Sequence, residues 1–102
     1  MSRIEKIKEM LKDSPKDGFL RHALALEYIK IDQKNEALDL FVNLLADDPE
    51  YLGSYYHLGK LYESLGESSK AGATYAEGIA LARKKGDKHS LSELMMAADD
   101  LD

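Results

Sequence analysis

The sequence predicts an all-α chain of about six helices, stacked as antiparallel helix pairs. Three observations carry that fold class. Residues of like character recur 34 positions apart along most of the chain. Within each recurrence the apolar residues keep helical spacing, and no strand pattern competes. Short polar or proline-containing stretches then interrupt at intervals that leave two helices per recurrence.

The recurrence is legible residue by residue. Leu24-Ala25 returns as Leu58-Gly59, Tyr28 as Tyr62, Ile31 as Leu65, Ala37 as Ala71, Phe41 as Tyr75 and Leu45 as Ile79. It also runs backwards, because Ile7, Met10, Leu11 and Pro15 precede Phe41, Leu44, Leu45 and Pro49 by the same interval. The first seventeen residues are therefore expected to be the second half of a recurrence.

Helices are expected at roughly residues 3–13, 17–31, 34–47, 50–65, 68–85 and 90–100, each boundary carrying an error of about 2 to 4 residues. The first has capping-box spacing at Ser2 and Glu5 and confines its apolar residues to Ile4, Ile7, Met10 and Leu11. That one-sided pattern suits a terminal cap with a polar outer face. The second is apolar nearly all round, with only Arg21, His22, Glu27 and Lys30 as polar relief, so it has to be covered on more than one side. Asp32-Gln33-Lys34-Asn35 breaks it before the third, and so short a link makes the two antiparallel neighbours.

Ser14-Pro15 and Asp48-Pro49 each place a capping side chain before a proline, so one helix is expected to end and the next to begin at each pair. The fifth runs longer than its counterpart, since Arg83 stands where a third proline would fall, and Gly86 marks its end. Ser90 and Glu93 give the sixth a capping-box start, with Leu91, Leu94, Met95, Ala98 and Leu101 as its inner stripe. Small residues at Ala25, Gly59, Ala71, Gly72 and Gly78 let paired helices approach, and Tyr28, Phe41, Tyr62 and Tyr75 fill the gaps. A helical glycine costs about 1 kcal/mol relative to alanine, so Gly78 is assigned to a close contact, while Gly72 is left open.

These residues resemble the tetratricopeptide repeat motif. Tyr55, Leu58, Gly59, Tyr62, Gly66, Ala71, Tyr75 and Gly78 fall in order at the family's intervals, and Leu24, Ala25, Tyr28, Ala37, Phe41 and Pro49 supply the preceding unit. Arg21 and Leu44 depart from it, standing where an aromatic and a small residue are usual. The resemblance implies a right-handed superhelical stack (an α-α superhelix) forming one domain over residues 1–102. Residues 1–17 would be an N-terminal half repeat, 18–51 and 52–85 the two repeats, and 86–102 a capping helix.

Composition excludes several functions. The chain has 102 residues and a formal charge of -5, and its densest positive run, Lys84-Lys85 with Lys88, is too small to attract nucleic acid. Cysteine is absent, which removes disulfides, thiolate metal sites and thiol nucleophiles and fits a reducing, cytoplasmic setting. Charges of both signs from Ser2 to Lys12 exclude a signal peptide or membrane span there. His22, His57 and His89 lie on separate elements without metal-ligand spacing. The glycines form no phosphate loop, and the carboxylates follow solvated helix faces. No cofactor, metal or catalytic group is expected.

What remains is a binding surface. The resemblance implies a protein-protein interaction module, an adaptor or scaffold, whose first helix of each pair lines a concave side. On this chain that stripe is Phe19, His22, Leu26 and Lys30, then Gly53, Tyr56, Lys60 and Glu63. The expected partner is an unidentified protein presenting an amphipathic or extended segment with apolar anchors, held at about micromolar affinity. Leu26 and Lys60 stand where relatives that clamp chaperone carboxylates use asparagine, which argues against that ligand. Self-association as a weak homodimer through the same apolar face is the second reading, and an enzyme with an unrecognised site ranks last.

Overall fold

The computed structural model describes residues 1–101. Six helices form and no strand appears among the described residues: α1 (Arg3–Asp13), α2 (Gly18–Lys30), α3 (Lys34–Asp47), α4 (Gly53–Ser64), α5 (Ser68–Lys85) and α6 (Lys88–Asp99). They divide into two compact units, Met1–Tyr51 and Leu52–Asp102.

In the first unit α2 packs between α1 and α3. The capping box opens α1 as expected: the Glu5 N–H donates to Ser2 Oγ at 3.1 Å and the Ser2 N–H to Glu5 Oε1 at 3.3 Å. Ile7, Leu24, Ala25, Tyr28, Ala37, Phe41 and Leu44 form the core. Covering α2 from two sides accounts for most of its apolar surface, yet Phe19 stays 70% exposed. Arg21 is buried, because its guanidinium donates to Asp47 at 2.9 Å and to the Lys16 carbonyl at 3.1 Å. An ion pair here stands where the second unit places the Tyr55 ring.

Both α2 and α4 end in the same six-residue hydrogen-bond closure. Gln33 N–H donates to the Tyr28 carbonyl and Glu67 N–H to the Tyr62 carbonyl, each at 2.9 Å. That closure needs a left-handed residue, supplied by Gly66 at φ 76° in α4 and by Asp32 at φ 59° in α2. Asp32 is the chain's only non-glycine residue with positive φ among those described.

In the second unit α5 packs on both α4 and α6. Gly59 and Gly78 are where helices meet. A Cβ on Gly59 would lie 2.6 Å from Cδ1 of Tyr75, and one on Gly78 would lie 2.8 Å from the Tyr55 Cβ. Gly72 behaves differently, since a Cβ there would make an ordinary 3.4 Å contact with Leu101. Gly86, left-handed at φ 69°, ends α5, and Arg83, Lys84 and Lys85 fill its last turn, where positive charge suits the helix dipole.

Three expected helix starts are corrected. Ser14 and Asp48 terminate α1 and α3 as expected, but they do not cap the next helix. A residue before proline is driven out of the helical region, and both leave it, at φ/ψ of -137°/71° and -139°/82°. The cap of α2 is Asp17, which accepts from the Leu20 N–H at 2.9 Å, while Asp48 accepts from the Glu50 N–H in a local turn, delaying α4 to Gly53. Likewise α6 begins two residues before Ser90, with Asp87 as its cap accepting from the Ser90 N–H at 3.0 Å.

Two expectations follow. Gly59→Leu drives a side chain into the Tyr75 ring and is expected to lower unfolding free energy by about 1–3 kcal/mol or more in urea titrations followed by helicity. Asp47 is held below its ordinary value of 3.8, first by the Arg21 hydrogen bond and next by the Lys16 charge. Its contribution is present above the unfolded value and lost as pH falls through the folded one. The stability difference between the native chain and Asp47→Ala is therefore expected to shrink as pH drops below about 4.

Candidate functional site

On the second unit, polar and apolar side chains of α4 and α6 face one another. There a cavity of about 160 Å³ is lined by Tyr56, Lys60, Glu93, Met96, Ala97 and Asp100. Helical spacing on α4 puts Tyr56 and Lys60 one turn apart, and the Lys60 ammonium sits 5.7 Å from the Tyr56 ring centroid. One turn further, Glu63 Oε2 lies 3.8 Å from that ammonium. The opposite wall comes from α6 and its C-cap: Glu93, Met96 and Ala97 on the helix and Asp100 just past its end follow one face.

Glu63 has a second duty. The Tyr75 hydroxyl donates a short hydrogen bond to its carboxylate, although the Tyr75 side chain as a whole is fully buried. Burial, and then the Glu63 carboxylate, push the Tyr75 hydroxyl well above its usual 10. Beside Tyr56, the His57 ring stands edge-on at 5.4 Å, and burial lowers its pKa. Tyr56, Lys60 and Glu63, all selected from the sequence, are thus brought together.

The first-unit residues are dispersed. Phe19 lines a separate cavity of about 150 Å³ between α1 and α2. His22 instead lies against the rings of Phe41 at 5.6 Å and Tyr51 at 5.7 Å, a packing role. Leu26 is half-buried. Lys30 is exposed and donates to Glu27 at 2.9 Å, a carboxylate that also takes Arg3 at 3.3 Å. Glu93, Met96 and Asp100 were not anticipated. Their signal was present as i, i+3 and i+7 spacing, but the inner stripe assigned to α6 pointed elsewhere; burial selects Leu94 and Ala97 and leaves Met96 69% exposed.

No grouping of histidine and acidic side chains suited to a metal occurs among the described residues, and no helix among them is long and apolar enough to cross a membrane.

A tetratricopeptide repeat domain protein from Salinibacter ruber is 51% identical to this chain. Its crystal structure matches with a TM-score of 0.77, covering 80% of this chain and 91% of that one. Its solution structure matches with a TM-score of 0.79, over 82% and 85%. The chain belongs to the tetratricopeptide repeat family. No family model matches it. A TPR repeat-containing protein of Pseudomonas aeruginosa is 26% identical over 97% of this chain and 94% of its own length. The TPR2B domain of yeast Sti1, solved as a complex with pHsp70, is only 18% identical. Its TM-score of 0.87 over 94% of this chain and 77% of that one speaks to the shared fold alone. As a tetratricopeptide repeat protein, the chain has a fold that in general supports protein interaction.

Removing the Tyr75 hydroxyl tests the link between core and site. Tyr75→Phe is expected to cost about 0.5–1.5 kcal/mol in urea unfolding while leaving the helical spectrum unchanged, because packing is kept and one hydrogen bond is lost.

Proposed function

We propose that this tetratricopeptide repeat protein is a non-catalytic adaptor that binds a segment of another protein at the α4–α6 cavity. The single observation supporting it is the composition of that cavity: an aromatic face and a methionine set among one ammonium and two carboxylates. Tyr56 and Met96 offer an apolar seat, with Lys60 at one edge and Glu93 and Asp100 at the other. Such a seat takes an apolar anchor, and the two α6 carboxylates favour a basic neighbour next to it. Sulfur and ring surfaces adapt to differently shaped anchors, which suits a module of modest selectivity. Glu63 orients Lys60 from outside the seat.

The test is selection of peptides from a random library on the intact chain. Selected peptides are expected to pair a large apolar residue with an adjacent Lys or Arg and to bind at about micromolar affinity. Tyr56→Ala and Asp100→Lys are each expected to weaken them roughly tenfold with helicity intact. Binders indifferent to both changes would refute the site. Molar mass recorded on the same samples reads out the competing expectation, a homodimer closed over this face.

A further inference from the structure

Part of one helix face in the first unit is exposed where the recurrence buries its counterparts. Helix α1 stands one 34-residue step before α3 and two before α5. At the matching positions α3 carries Ala37, Phe41 and Leu44, and α5 carries Ala71, Tyr75 and Gly78; all six are buried. Each of those helices is packed by the first helix of its own pair, α2 on α3 and α4 on α5. Among the described residues α1 has no such helix. It carries Arg3, Ile7 and Met10 at these positions; Ile7 is buried in the core, but Arg3 is exposed and Met10 is 49% exposed. Beside it Phe19 is 70% exposed, and the two share a cavity of about 150 Å³ with Leu20, Ala23, Arg3 and Lys6. Two large apolar side chains thus stand exposed beside one groove.

The charges of α1 decide what covers it. Arg3 and Glu9 are engaged within the chain, by Glu27 at 3.3 Å and by Lys12 at 3.1 Å. The flanks of Met10 are Lys6 toward the N-terminus and Asp13 at the C-terminal end, both exposed; with Met1, Glu9 and Met10 they line a second, adjoining cavity that shares Met10 and Lys6 with the first. Read along the helix, that order is positive, apolar, negative. A sequence of this kind is complementary to itself run in reverse. A neutral apolar helix laid across it would instead bury the Lys6 charge without an acceptor.

We infer that the α1–α2 face joins two copies of this chain in a weak symmetric dimer. In it α1 crosses its antiparallel counterpart near Met10, Phe19 and Met10 are the apolar anchors, and Lys6 of each copy pairs with Asp13 of the other. This surface is distinct from the α4–α6 cavity, and the inference stands independently of the proposed peptide site.

Sedimentation equilibrium of the intact chain from about 10 μM to about 1 mM tests it, a range chosen for a small interface. The expected result is a mass rising from one chain toward two. Phe19→Asp and Met10→Lys are expected to abolish the rise. Lys6→Glu and Asp13→Lys are each expected to weaken the dimer roughly tenfold, and the two combined in one chain to restore it. Neither charge change disfavours the helix, since acid near its start and base near its end agree with the dipole. A mass of one chain at every concentration overturns the inference. So does a dimer that ignores the α1 variants or is lost on Tyr56→Ala, or a charge-swapped double variant that fails to recover. A monomer whose Met10 and Phe19 signals shift only on adding a different protein would assign the face to that protein and equally overturn it.

Discussion

A backbone without a side chain at Gly59, facing the ring of Tyr75, sets the spacing of the second unit. The ring lies fully buried against α4 because there is nothing at Gly59 to hold it off. That contact brings Gly78 against Tyr55, which in turn seats Leu94 from α6 over the same glycine. The cost of two helical glycines is thereby offset by contacts that any larger residue would forbid. The cavity walls depend on this arrangement, for Tyr56 and Lys60 ride on the helix that Tyr75 positions, while Glu93 and Met96 ride on the helix that Leu94 anchors.

The first unit solves the same packing problem with different chemistry. Where the second unit buries Tyr55, it buries Arg21, and a buried guanidinium needs acceptors. Asp47 and the Lys16 carbonyl accept from its two terminal nitrogens, from the end of α3 and from the turn before α2, so one side chain ties a helix end to a loop. Leu44 and Ala25 take the places held by Gly78 and Gly59, and both are fully buried. Substituting bulk and charge at equivalent positions has left the helix pair intact in each unit.

Most of the architecture was legible because the recurrence and the helical period reinforce each other over many residues. Helix starts were less so. Ser14 and Asp48 can cap a following helix or close a preceding one, and only the backbone angle imposed by the next proline decides between them. Ser90 with Glu93 matched a capping box, but Asp87 three residues earlier is an equally good acceptor and won the longer helix. In the candidate site, neighbours on one helix such as Tyr56, Lys60 and Glu63 could be read from spacing. The α6 wall could not, since it depends on how that helix is rotated. The ring neighbours of His22, Phe41 and Tyr51, are distant in sequence and could not be read from helical spacing.

The bond from Tyr75 to Glu63 runs from the centre of the second unit to its rim. A visiting cation that drew the Glu63 carboxylate outward would leave a hydroxyl inside with no acceptor, and an orphaned polar group in the interior is expensive. At the proposed site, visitors would thereby be graded by reach: those whose charge stopped at Glu93 or Asp100 would meet no such penalty, and those that extended to Glu63 would disturb the interior. Discrimination at this surface would thus be set in part by a residue that no visitor touches.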